Sequence, residues 1–295
     1  MIVKAEVQTA IESQQPVVAL ESTVIAHGLP RPQNLETAKR LEQIVRDGGA
    51  TAATIAMLSG DLRVGLGLSE IEALANHDGV KKLSVRDLAI GLAQKWNGAT
   101  TVASTMWIAH RAGIKVFATG GIGGVHRGPL PDVSADLPEL ARTPMIVVCS
   151  GAKIILDLPA TREWLETNSV TVVGYECDEM PAFYSRASGL PIDLRCDTPE
   201  AIAELYQAQT ELGMNSALLV TVPVPREAEV EAELLQTVLA DSLAQAEREQ
   251  IAGREVTPFL LAQMAQRSAG ATLRANLALL ENNARVAAQI ALAIS

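Results

Sequence analysis

The residues best suited to chemistry fall in five short stretches. In VVALESTVIAHGLPRP, residues 17–32, Glu21 directly follows an apolar run, and Ser22, Thr23 and the pair His27-Gly28 come next. A carboxylate at the end of a buried strand can move protons, and it can equally cap a solvated turn; spacing alone keeps both open. His27 divides the same way between acid–base work and a structural hydrogen bond. In TGGIGGVHRG, residues 119–128, four glycines precede His126 and Arg127. Their amides can approach an anion closely, but the order matches neither the dinucleotide fingerprint nor the phosphate loop. The segment reads as a tight active-site loop.

In DVSADL, residues 132–137, Asp132, Ser134 and Asp136 share one side if the chain is extended. They would then offer hard oxygen ligands, suited to magnesium or manganese rather than zinc, or form a polar loop with an aspartate cap. Lys153 stands between the apolar run ending in Cys149 and the apolar run Ile154 to Leu156. A lysine there either loses hydration and becomes a nucleophilic amine, open to Schiff-base chemistry, or packs its stem and sends its ammonium to water. Asn276 and Asn283 are seven residues apart, nearly on one face of a helical pattern rich in Ala and Leu. A buried amide there needs partners, whether a ligand or a backbone carbonyl.

Something must position these groups, and the apolar patterning indicates what. Short apolar runs at 17–20, 52–57, 115–118, 145–149, 170–174 and 217–222 alternate with segments of helical period. That alternation predicts an α/β fold with strands joined by helices, and function at the strand ends. The pattern 35–45 predicts a connecting helix with Asn34 as N-cap, and Thr257-Pro258 reads as N-cap and first helical position of a C-terminal helix. A further long helix covers 273–294, and the charged stretch 226–254 reads as a solvated helix or helix pair. Without repeats or a Pro/Ser-rich linker, residues 1–295 are expected to form one domain.

Composition narrows the partners. Of 295 residues 48% are hydrophobic and only 3% aromatic, which calls for a sizeable core of small aliphatic side chains. A net charge of −10 with no basic run argues against a polynucleotide substrate, while a local cation could still hold a small phosphate. Cys149, Cys177 and Cys196 are odd in number and lack C-x-x-C spacing, so a reducing, cytoplasmic setting is expected, with neither disulfides nor zinc. No apolar run reaches the roughly 20 residues that span a bilayer, and the N-terminus lacks a signal-like apolar segment.

Taken together, the stretches ALESTVIAHGLPRPQNLETA (19–38), TIAMLSGDLRVGL (54–66), GATTVASTM (98–106), ATGGIGGVHRG (118–128), DVSADLPELARTP (132–144), SGAKIILDLPAT (150–161), DEMPAFYSRASG (178–189) and RANLALLENNARVAAQIA (274–291) resemble the pseudouridine-5'-phosphate glycosidase family, which includes indigoidine synthase A-like proteins. The resemblance spans nearly the whole chain. It implies a three-layer α/β/α sandwich with a central mixed sheet, a homotrimer, and a metal-dependent, reversible hydrolysis of pseudouridine 5'-phosphate to uracil and ribose 5-phosphate. Carried onto this chain, it makes Lys153 the nucleophile, Glu21 the proton donor and Asp132 the metal-bearing aspartate. Lys82, Val102, Ser134, Ala135 and Asp136 become substrate contacts, and Asn276 an active-site amide. Manganese is the expected ion, with magnesium or another divalent ion also suited to hard oxygen donors.

Two departures concern loop geometry: Val85 precedes Arg86 where relatives carry arginine or threonine, and the stretch between Arg127 and Asp132 is short. Some relatives are fused to a sugar kinase, and 295 residues leave no room for one, so a separate pseudouridine kinase is the expected pathway partner. The chemistry explains the residue types. A C-glycoside has no leaving heteroatom to protonate, so paired carboxylates serve it poorly, whereas an amine can supply the electron sink.

Overall fold

The computed structural model describes residues 1–128, 132–251, 253 and 256–295. Eleven strands among them form one sheet: β1 (Ile2–Val3), β2 (Val17–Leu20), β3 (Thr51–Leu58), β4 (Asp61–Val64), β5 (Lys81–Leu83), β6 (Gly98–Thr100), β7 (Val116–Ala118), β8 (Ile146–Cys149), β9 (Thr171–Tyr175), β10 (Leu194–Cys196) and β11 (Leu218–Thr221). Their order is β1-β4-β3-β2-β7-β8-β11-β9-β10, with β6 paired to β3 and β5 to β6. Every pairing from β3 through β10 along this path is parallel, while β4 and β6 run antiparallel to β3, so the sheet is mixed.

Helices cover both sides of the sheet, which is why the central strands read as unbroken apolar runs rather than alternating ones. All four residues of β2, β8 and β11 are buried. Helix Ala271–Ala293 crosses β2, β7 and β8 and packs against helices Gln33–Asp47 and Pro199–Glu211. Helix Val102–Arg111 packs on β2, β3, β4 and β6. Each fully buried Val, Leu or Ile in these layers contributes about 1.5–3 kcal/mol of transfer free energy.

Along the edge away from β4, β3 changes partner: Thr51 to Thr54 register with β2, and Ala56 and Met57 with β6. Ile55 lies at the changeover, and its carbonyl accepts from the hydroxyls of Ser22 (2.6 Å) and Thr100 (2.7 Å), tying the segment after β2 to the end of β6.

The six expected strands are all present, and five short ones join them. Asn34 does not cap its helix. Pro32 takes that position, and the Asn34 amide donates instead to the carbonyls of Ile25 (2.9 Å) and Ala75 (3.0 Å), the latter shared with Arg31 Nε (3.0 Å). The helix expected to start at Pro258 begins at Val256 (Val256–Arg267), so Thr257 lies in its first turn rather than capping it. Within the charged stretch, helix Ala232–Arg248 buries Leu235, Val238 and Ala246 and packs against Val256–Arg267, so only one face of it is solvated.

Candidate active site

Three neighbouring parallel strands deliver the central groups from their carboxyl ends. β2 ends at Leu20 and is followed by Glu21; β7 ends at Ala118 and is followed by Thr119; β8 ends at Cys149 and leads through Ser150-Gly151-Ala152 to Lys153. From β2 the chain crosses to β3 on one side and later returns to β7 on the other, so Glu21 and Thr119 flank a switch point in the strand order. Open α/β sheets bind ligands in the crevice that forms there.

The turns after β7 and β8 are laced together. The Ser150 amide donates to the Gly120 carbonyl (2.8 Å), Ile122 to Gly151 (3.1 Å) and Lys153 to Ile122 (3.2 Å). The Lys153 ammonium end closes the lacing by donating from Nζ to the Gly121 carbonyl at 2.6 Å. Gly151 has φ +80°, and a Cβ there would lie 2.0 Å from the Pro181 carbonyl oxygen, so both conformation and space require glycine.

Burial pushes the Glu21 carboxyl above the usual carboxylate range; Lys153, the Thr119 hydroxyl and Lys82 pull it down, and Asp136 adds to the rise. Thr119 Oγ1 donates to Glu21 Oε1 in a short hydrogen bond. Glu21 therefore keeps its proton to higher pH than an ordinary glutamic acid. Burial also pushes the neighbouring Cys149 thiol up to about 12, so at neutral pH it is protonated.

A cavity of about 600 Å³ opens above these groups, within the range that holds small-molecule ligands. Its wall contains every residue to which the family resemblance assigns a role: Glu21, Lys82, Val102, Asp132, Ser134, Ala135, Asp136, Lys153 and Asn276. His27 and His126 line it too, His27 from a one-turn π-helix over Val24–Gly28, a distortion often found at functional sites. Val85 and Arg86 border the same wall.

The segment 132–137 is only partly extended. Asp132 is exposed and its carbonyl accepts from the His126 amide (2.8 Å), whereas Asp136 opens a short helix, Asp136–Leu140. The two Asp136 oxygens accept from the amides of Ala103 (2.9 Å) and Gly123 (2.8 Å), so its carboxylate binds the start of helix Val102–Arg111 to the glycine turn. Loop residues 129–131, on which the expected shortening falls, lie outside the described residues. Sequence reasoning missed Thr119, whose only signal was a hydroxyl directly after an apolar strand, and Ser84 and Phe183, which also line the cavity.

Among the described residues no group of three or more His, Cys, Asp or Glu side chains is arranged to hold a metal ion. Asp132 offers one solvent-facing carboxylate, and among those residues it makes no side-chain hydrogen bond or ion pair. Such a donor fits a hydrated divalent ion that keeps most of its water, and does not fit a zinc site closed by protein ligands.

Residues 6–293 match the family described as indigoidine synthase A like protein. The chain is 52% identical to the pseudouridine-5'-phosphate glycosidase of Methylobacterium nodulans over 291 residues, covering 98% of this chain and 86% of that one. It is 48% identical to the protein of the same name from Geobacillus kaustophilus, covering 100% and 99%. Among solved structures, it superposes on the prealnumycin C-glycosynthase AlnA in complex with ribulose 5-phosphate with a TM-score of 0.91, at 40% identity and covering 99% of this chain and 96% of that one. An indigoidine synthase A-like protein from Thermotoga maritima superposes with a TM-score of 0.89, at 39% identity, covering 95% and 93%. With matches across its whole length and its strand-end residues gathered in one cavity, this chain belongs to the indigoidine synthase A-like family of pseudouridine-5'-phosphate glycosidases.

Proposed function

We propose that the chain cleaves the carbon-carbon glycosidic bond of pseudouridine 5'-phosphate, releasing uracil and ribose 5-phosphate, with Lys153 as covalent nucleophile and Glu21 as proton donor. The observation that carries this reading is the meeting of Lys153 and a proton-retaining Glu21 at nearby strand ends in one cavity. The relatives named for this activity support it, as does the C-glycosynthase, which acts on the same kind of bond and was solved with a pentulose phosphate.

The steps follow from the groups present. The Lys153 amine adds to the anomeric carbon as the ring oxygen leaves and takes the proton that the newly bonded nitrogen sheds, opening the ribose. Glu21 then gives its proton to C5 of the uracil ring. The nitrogen lone pair forms the C=N bond while the electrons of the carbon-carbon bond return to the pyrimidine, so uracil departs and a Lys153 iminium remains. Water adds to the iminium, restoring the amine and freeing ribose 5-phosphate. Glu21 is recharged by the proton that the attacking water loses.

Around the reacting centre, Lys82 is the proposed phosphate cation, and Val102, Ser134, Ala135 and Asp136 are proposed to shape the substrate seat. Asn276, 7% exposed on the inner face of helix Ala271–Ala293, is proposed to orient the sugar. Asp132 would hold a hydrated divalent ion, manganese or magnesium, which would offset anionic charge near the phosphate. A homotrimer follows the family resemblance. A cytoplasmic setting agrees with three free thiols, Cys149, Cys177 and Cys196. A separate kinase acting on pseudouridine would supply the substrate.

Uracil release from pseudouridine 5'-phosphate in the presence of manganese, followed by chromatography, tests the assignment. Release by the natural protein and none by Lys153→Ala is expected; cleavage of another phosphorylated sugar without uracil release would favour a Schiff-base aldolase instead.

A further inference from the structure

Helix Ala271–Ala293 turns an apolar face to the sheet, and Asn283 interrupts it. The side chain is 1% exposed, so its polar atoms need protein partners. Nδ2 donates to the Thr119 carbonyl at 2.8 Å and lies 3.1 Å from Ser150 Oγ and 3.4 Å from the Gly120 carbonyl. The Ser150 hydroxyl is also 3.2 Å from Oδ1. One amide thus touches both glycine turns of the active site, the one after β7 and the one after β8.

These turns carry different halves of the chemistry. Thr119 directs its hydroxyl onto Glu21, and Ser150 begins the three-residue path to Lys153. The Thr119 amide is fixed by the Val148 carbonyl (3.0 Å), and its own carbonyl is fixed by Asn283. Holding both ends of the residue sets the direction of its side chain. Leu279 and Leu280, on the preceding turn of the helix, stand 3.3 and 3.2 Å from where a Gly120 Cβ would be, so packing alone already presses the helix onto this turn. An apolar residue at 283 would serve that packing; an amide adds direction.

We propose that Asn283 is a positioning residue that sets the placement of Glu21 relative to Lys153 by gripping the Thr119–Gly120 and Ser150 turns together. The inference rests on the glycosidase reading above. It differs from the role assigned to Asn276, two helical turns away, which faces the cavity, whereas Asn283 acts through backbone beneath it.

Asn283→Leu keeps the approximate volume and removes the donors. It is expected to lower kcat roughly 10- to 100-fold, the scale of a small misplacement of reacting groups, with KM changed far less. Loss of the Thr119 hydrogen bond, which lowers the Glu21 pKa, moves the alkaline limb of the kcat profile to higher pH. Combined with Thr119→Val, Asn283→Leu is expected to add little further loss, because both cut the same relay. An unchanged kcat and pH limb in the folded variant would overturn the inference, and so would a kcat loss that is additive with Thr119→Val and leaves the limb in place, since that marks a purely structural role. If the leucine variant does not fold, Asn283→Ser, which retains a small donor, is judged by the same limb and the same double variant. The unsubstituted protein is assayed in parallel: failure of that protein to release uracil would count against the glycosidase reading itself.

Discussion

Gly151 is where a single methyl group should do the most damage at this site. Its φ of +80° costs an L-residue strain, and an added Cβ would meet backbone, the Pro181 oxygen at 2.0 Å and the Pro181 carbonyl carbon at 3.1 Å. Reaching ordinary van der Waals separation requires a shift of about 1.5 Å. The segment that must yield is itself pinned, because the Phe183 amide donates to the Ser150 carbonyl at 2.9 Å. Left-handed strain of about 1–2 kcal/mol and overpacking of about 1–3 kcal/mol together put Gly151→Ala roughly 2–5 kcal/mol below the natural protein. In a chain of this size that lowers the melting temperature by roughly 3–8 °C. Lys153 lies two residues away on the same turn, so its Nζ should leave the Gly121 carbonyl and kcat should fall on the order of 100-fold. Thermal unfolding and uracil release on one preparation measure both. A melting temperature within about 1 °C and kcat within about twofold of the natural protein would refute this account of the turn.

Three further outcomes follow from the site. Glu21→Gln should lower kcat roughly 10²- to 10⁴-fold and abolish the alkaline limb of its pH profile; for the natural protein, the raised Glu21 pKa means kcat falls as pH climbs through that value, and folding stability contributed by the retained proton is lost over the same window, from the ordinary glutamic acid pKa upward. Asp136→Ala removes two buried acceptors at once and should cost about 3–5 kcal/mol in urea unfolding, against a much smaller loss for Asp136→Asn, which keeps one acceptor. Asp132→Ala should leave the melting temperature nearly unchanged, because the side chain is exposed, and should weaken the stimulation by added manganese after chelator treatment.

How much of this could be read from the sequence depended on how local the deciding interaction was. The strands β2, β3, β7, β8, β9 and β11 are buried on both faces, and such strands announce themselves as apolar runs. β5 and β10 were missed because runs such as Lys81–Leu83 and Leu194–Cys196 are short and half polar, and they exist only through pairing with β6 and β9. Glu21 and Lys153 were legible because each directly follows or interrupts such a run. Thr119 was not, because the partner that gives its hydroxyl a role lies 98 residues away in sequence. Asn34 shows the same limit: a good N-cap residue by type, it serves two distant carbonyls instead. The Asp136 carboxylate likewise accepts from the Ala103 and Gly123 amides, contacts across 33 and 13 residues that the spacing of DVSADL did not reveal.

The central claim is that the Lys153 amine becomes covalently bonded to the sugar. Borohydride reduction during turnover of pseudouridine 5'-phosphate with manganese, followed by intact mass and peptide mapping, tests it directly. The account predicts a reduced ribose phosphate adduct on the peptide containing Lys153 and none in Lys153→Ala; continued uracil release with no trapped adduct, or an adduct on another residue, would contradict it.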